Sequence, residues 1–291
     1  MSVAGDDTAF NLHEIAEGVF VPQGVHVPID DPRHDDIANI GFIVGSRCTA
    51  VIDTGGSVHI GQSLRAAIRA HTDRPVCFVI NTHVHYDHVL GNAAFLADRP
   101  KYVGHADLAE AIDASRELFL RQFAADLGPD PAPDKIIGPD MGVSAKTEID
   151  IGGRIIELAA HPAAHSYTDL SIFDRKTGTW WLGDILFIDR IPVLDGNLNG
   201  WIRLLEEFKS VKAARVVPGH GPPAAEWPRS AEKQLKYLRD LRDETRAAIA
   251  RGVSLDDAIE SLGQGDKGSW LLYEQYRGRN VTKAYTELEW E

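Results

Sequence analysis

Residues 81–92 read Asn-Thr-His-Val-His-Tyr-Asp-His-Val-Leu-Gly-Asn, so His83, His85, Asp87 and His88 crowd into one short stretch. They follow Val76–Ile80, Val-Cys-Phe-Val-Ile, an apolar run with β-branched residues. Such a run suits a strand buried on both faces in a helix-covered sheet. Side chains two apart in extended chain point the same way, so His83 and His85 converge while the extension lasts. Asp87 and His88 are adjacent and diverge unless the chain turns. The expected geometry is two imidazoles aimed at one spot and an Asp–His pair near a second. Imidazoles and carboxylates together suit zinc and similar ions. One His after a strand is ordinarily a cap or a surface residue; a His-x-His-x-Asp-His cluster there is not.

The same pattern recurs downstream. Ile155–Ala159 is the second arm of a hairpin turned at Gly152-Gly153, and His161 and His165 follow it. Thr179-Trp-Trp-Leu182 reads as a strand, and Gly183-Asp184 follows it. Arg215-Val-Val-Pro218 is a short strand before Gly219-His220-Gly221. Ligands gathered from the ends of strands are a recurring way to build an α/β site. A Gly-Asp turn alone is commonplace; four strand ends with ligand-type residues are not.

Around these, Asn39–Gly45 and Cys48–Asp53 form a hairpin turned at Gly45-Ser46-Arg47. Apolar residues at Ile60, Leu64 and Ile68 predict a helix over 57–72, and Leu108, Ile112, Phe119 and Phe123 predict another. Trp201–Ala214 and Pro228–Arg251 are amphipathic and helical, and Ser254 caps a further short helix. The expected organisation is a core over 1–227 and a C-terminal helical extension over 228–291 that packs on it and narrows the site.

The ordered set IANIGFIVGSRCTAVIDTGG, THVHYDH, AAHSYTDL, LGDILF and VPGHGP resembles the metallo-β-lactamase superfamily. The resemblance covers roughly residues 12–225 and implies an α/β fold, a four-layer αββα sandwich with metals at one edge between two sheets. It implies that His83, His85 and His165 hold one metal, that Asp87, His88 and His220 hold the other, and that Asp184 bridges them. His161 matches no ligand position and is expected either to support the ligands from behind or to be structural. Asp184 stands where penicillin-type members usually carry Cys or Ser, which looks like the glyoxalase II, lactonase and general hydrolase branches. The usual Gly-His-Thr-Pro-Gly turn is here Ala164-His-Ser-Tyr-Thr168. The tail from Ser269 and the segment Arg190–Gly196 resemble the quinoprotein relay system zinc metallohydrolases, relatives that are often exported.

The resemblance implies a hydrolase with two Zn2+ per chain, with Fe or Mn as alternatives. Two close ions lower the pKa of a shared water to about 7. The resulting hydroxide would attack an ester, thioester, lactone or amide carbonyl, with Asp87 orienting it and carrying a proton. No Gly-x-Ser-x-Gly nucleophile elbow occurs. β-Lactam hydrolysis is a further possible main or side activity. A mononuclear iron persulfide-dioxygenase-like enzyme on the same fold is the competing class, and it would use one metal. The segment 186–199 is expected to wall the substrate cavity, with Tyr86, Tyr167 and His105 as further candidates.

Composition narrows the partners. The chain has 291 residues, 44% hydrophobic and 25% charged, enough to bury a core without staples. Net charge is −13 with no long Lys/Arg run, which argues against nucleic acid as the main partner; the hydrolase resemblance implies a small-molecule substrate. No stretch is apolar and long enough to span a membrane. Residues 1–18 lack a charged and an apolar leader region, so a cytoplasmic chain is expected as given, or a periplasmic one cloned in mature form. Cys48 and Cys77 both sit in apolar, strand-like surroundings; core packing rather than a disulfide framework is expected.

Overall fold

A computed structural model describes residues 11–291; the absence of a leader, read partly from residues 1–10, falls in part outside them. Two sheets stack face to face. The first runs β1 (Leu12–Ala16), β2 (Val19–Pro22), β3 (Gly41–Val44), β4 (Thr49–Ile52), β5 (Val76–Ile80), β6 (Lys101–His105), β7 (Met141–Val143), in that spatial order. Its first four strands pair antiparallel and its last four parallel. The second holds β8 (Lys146–Asp150), β9 (Ile155–Ala160), β10 (Leu170–Asp174), β11 (Thr179–Phe187) and β12 (Arg215–His220), with only β11–β12 parallel.

Alternation along the strands builds the layers. Ile43, Ala50, Ile52, Leu158, Ile172 and Trp181 fill the space between the sheets. Phe42 and Val51 point the other way, against α1 (Val58–His71). Trp180 and Leu182 face outward on the second sheet, under α4 (Leu198–Phe208), α5 (Glu232–Ala250), α6 (Leu255–Ser261) and α7 (Tyr273–Leu288). The order helix, sheet, sheet, helix is the expected four-layer αββα sandwich. The short α2 (Tyr86–Val89) and α3 (Leu108–Gln122) flank the site.

Several boundaries differ from the expectation. The helix expected over 201–214 is α4, which starts three residues earlier because Asn197 Oδ1 accepts from Gly200 N at 2.6 Å. The strand expected to stop at Leu182 continues to Phe187, with its register broken at Gly183. β7 is too short to leave a periodic signal. The largest correction concerns the cysteines, since Cys48 and Cys77 form a disulfide with Cα atoms 5.8 Å apart. A register shift between Thr49 and Ala50 leaves Cys77 without a Cα partner on β4, beside Cys48 at the start of that strand. Cross-strand register of this kind is not encoded in either cysteine's local sequence.

Candidate metal centre

Each metal-type side chain is carried to one end of the sandwich by a strand end. After β5 the chain bends through Thr82–Val84, is extended at His85 (φ −67°, ψ 150°) and then turns into α2, which lets Asp87 and His88 face the same centre. Asn81 holds this turn closed: its Nδ2 donates to the His88 carbonyl at 3.1 Å and its Oδ1 accepts from Asn92 at 2.8 Å. Asp184 lies just beyond the irregularity at Gly183, whose φ of +50° and tight approach to Thr82 suit glycine. His220 ends β12. Beside it, a Cβ on Gly219 would lie 1.9 Å from Asp184 Oδ1, so only glycine leaves that carboxylate its place.

All seven expected ligands meet. His83, His85, His165 and Asp184 form one group, and Asp87, His88 and His220 an adjoining one; within each group the candidate ligand atoms lie within 4.8 Å of one another. His85 Nδ1 is 3.0 Å from His83 Nε2 and 2.9 Å from His165 Nε2. Asp184 reaches both groups, with Oδ2 3.4 Å from His165 Nε2 and Oδ1 3.2 Å from His88 Nε2. Asp87 Oδ2 is 3.4 Å from His220 Nε2.

The outer hydrogen bonds show what these atoms offer. His165 Nδ1 donates to the Val193 carbonyl at 2.7 Å, so its Nε2 presents a lone pair. His85 Nε2 donates to Asp195 Oδ2 at 2.8 Å, which bares Nδ1. Thr82 Oγ1 gives its proton to Asp53 at 2.7 Å and accepts from His83 Nδ1 at 3.0 Å, which bares Nε2. Three lone pairs thus face one another. In the second group His88 Nδ1 donates to Asp53 at 2.8 Å and His220 Nδ1 to the Ile37 carbonyl at 2.7 Å. His88 Nε2 and Asp184 Oδ1 are buried with no hydrogen-bond partner. The converging lone pairs of His83, His85 and His165, with the buried carboxylates of Asp87 and Asp184 beside them, are stable together only around positive charge, so the residues fit metal ions.

Electrostatics agree. Burial, then the neighbouring His88, keep His83 far below the usual imidazole range; burial brings His165 to about 4, so both are neutral donors. Burial opposes charge on Asp87 and Asp184, yet the surrounding histidines outweigh it and both are held low and ionised. Burial also opposes charge on His88, but Asp184, Asp87 and Asp53 raise it well above its ordinary value. These carboxylates demand positive charge at the centre.

A cavity of about 250 Å³ opens over the centre. Segment 186–199 walls it as expected, through Phe187, Arg190, Val193 and Asp195, and Tyr86 lines it too. Tyr167 and His105 do not line it. His161 stands outside both ligand groups and bonds Ser171 Oγ at 2.8 Å in a separate, larger cleft of about 600 Å³. The sequence reading placed Arg190 and Asp195 in the cavity wall only as part of 186–199, with no role of their own, and did not single out Asp53 or Arg279. Asp53 carried a signal, lying at a strand end before Thr54-Gly-Gly56; Arg279 carried none.

Comparison with known proteins places this centre. The Metallo-beta-lactamase superfamily description matches residues 34–220, which span all seven residues. The linear primary-alkylsulfatase of Pseudomonas sp. is 20% identical over 252 residues, covering 73% of this chain and 47% of that protein. The chain spans about half the length of the curated relatives it matches. A metallo-beta-lactamase from Pontibacter korlensis superposes with a TM-score of 0.62 at 17% identity, over 79% of this chain and 98% of that one. The stereoselective inverting sec-alkylsulfatase of Pseudomonas sp. superposes at 0.70 with 14% identity, over 95% of this chain and 50% of that one. Both share the sandwich. With its αββα layers, its clustered His and Asp side chains and a family match through the whole site, the chain belongs to the metallo-beta-lactamase superfamily.

Proposed function

We propose that the chain is a dinuclear zinc hydrolase of a small molecule, cleaving an ester, thioester, lactone or amide. The observation that carries this is the set of bared imidazole nitrogens facing two adjoining points, with Asp184 reaching both. Two divalent ions held there would supply Lewis acidity and make water a nucleophile near neutral pH. His83, His85 and His165 would hold one ion, Asp87, His88 and His220 the other, and Asp184 both.

The chain's own residues set the rest. Asp87 is ionised, backed by His88 and His220, and lines the cavity. In this reading it orients the attacking water and accepts its proton. Asp53 and Asp195 fix the tautomers of His88 and His85, so these donors need no rearrangement. Phe119, Phe123 and Phe187 line the cavity and give it an apolar side beside the charged centre.

The test is elemental analysis followed by a hydrolysis panel on metal-replete protein, covering lactones, thioesters, β-lactams and sulfate esters. About two zinc ions per chain, activity lost on chelation and regained with zinc, and turnover within the panel are expected. About one iron per chain with oxygen consumption would put the protein in the dioxygenase class instead.

A further inference from the structure

The cavity has two unlike walls, and one of them contains a buried guanidinium that no carboxylate among the described residues meets. Arg190 is only 3% exposed. Its Nη2 donates to Tyr276 Oη at 3.1 Å, its guanidinium carbon lies 5.2 Å from the centre of the Tyr276 ring, and its Nε is buried without a hydrogen-bond partner. Its Nη1 lies 3.2 Å from His220 Nδ1, but that nitrogen already gives its proton to the closer Ile37 carbonyl, so the two donors merely face each other. Among the described residues Arg190 forms no salt bridge. Arg154 shows the ordinary solution: it is equally buried, and Asp174 grips it with both carboxylate oxygens. An unpaired buried guanidinium is costly unless an anion meets it.

The carboxylates lining the cavity are otherwise engaged. Asp87 and Asp184 face the ligand histidines, and Asp195 is held between His85 and Arg279. Tyr276 and Arg279 come from one face of α7, three residues apart, so the C-terminal helix and Arg190 form a single polar wall; with Arg279 paired to Asp195, its uncompensated charge is that of Arg190. The opposite wall is apolar. Phe119 on α3 and Phe123 at its C-terminal cap stand about one turn apart, and Tyr86 stacks on Phe123 with ring centroids 4.1 Å apart. The wall runs out to Ile29 and Leu118, which are 50% and 39% exposed at the cavity. Exposed apolar residues grouped at a cavity are a binding feature rather than scatter.

We propose that this cavity selects an amphiphilic anion: a substrate whose negative group meets Arg190, backed by Tyr276 and Arg279, and whose apolar arm lies along Phe119, Phe123 and Leu118. This rests on the hydrolase reading for the word substrate. The site itself is tested by binding, without turnover.

Octane-1-sulfonate carries such a charge on an apolar arm and is a poor metal ligand. By calorimetry on the full-length, zinc-loaded chain, it is expected to bind at least about tenfold tighter than either octan-1-ol or methanesulfonate. Arg190→Gln, at unchanged zinc content, should erase the advantage over octanol. Phe119→Ala with Phe123→Ala should erase the advantage over methanesulfonate and keep the preference for charge. A structure of the complex serves where Arg190→Gln loses zinc: sulfonate oxygens on the Arg190 guanidinium support the site, and sulfonate on the metal ligands' side alone overturns it. Equal binding of octanol and octane-1-sulfonate, or a charge preference that survives Arg190→Gln, also overturns it. Failure of every hydrolysis assay with this binding intact would strike the hydrolase reading and leave the anion site standing.

Discussion

The Asp53 carboxylate lies 2.8 Å from Nδ1 of His88, and both residues are wholly buried. Asp53 adopts a left-handed φ of +52°, uncommon outside glycine, and in that pose it also accepts from Thr82 N and Oγ1. The backbone conformation is tolerated because it places one carboxylate against three donors. Asp53→Asn keeps the shape and removes the charge. It should weaken metal at the Asp87–His88–His220 group about 10–100-fold, as for other supporting residues, with little change in fold. Metal titration beside circular dichroism checks this; unchanged affinity would make Asp53 a turn residue only.

Asp184 lends one carboxylate oxygen toward each group. Asp184→Asn loses the charge and a strong donor, and the second group is left with Asp87, His88 and His220. Bound metal should fall from two per chain toward one, and turnover at least about 10–100-fold. Both are to be measured on the same preparation. Two metals held at full affinity with full activity would remove Asp184 from the centre.

Gly219→Ala tests the same carboxylate from outside. The added methyl would sit 1.9 Å from Asp184 Oδ1, so the carboxylate must shift. Metal affinity should fall by at least about tenfold. Gly265→Ala, where a Cβ meets nothing within 4 Å, is the control and should bind metal as the parent does.

The Cys48–Cys77 disulfide closes a sequence separation of 29 residues between two neighbouring strands. Alkylation without reductant should find no free thiol. Cys48→Ala with Cys77→Ala should cost about 2–4 kcal/mol in denaturant unfolding and leave metal content unchanged. Two alkylated cysteines in the unreduced protein would argue against the bond.

His161 gives a pH prediction. Burial, then the nearby His105 and Lys146, lower its pKa to about 4. Below about 6.5 an unfolded chain takes up a proton that folded His161 refuses. Its contribution is therefore present above that pH and is lost as pH falls toward 4. His161→Gln, which can still bond Ser171, should flatten the loss of stability between about pH 6.5 and 4. Urea melts of both proteins across that range check it; identical slopes would show that His161 titrates normally.

By itself, the sequence determined the inventory and the layers. Alternating strands such as Cys48–Asp53 and helix faces such as Ile60, Leu64 and Ile68 carry their burial in their period, and that period survives folding. The placement of His83, His85, Asp87, His88, His165, Asp184 and His220 after buried strands announced a shared centre, because strand ends in a sandwich meet at one edge. Only the tertiary structure decided what surrounds it. Asp195 under His85, Arg190 and Arg279 across the cavity, and Cys77 beside Cys48 are paired by loop paths and strand register. Those pairings join residues far apart in the chain, and no local period records them.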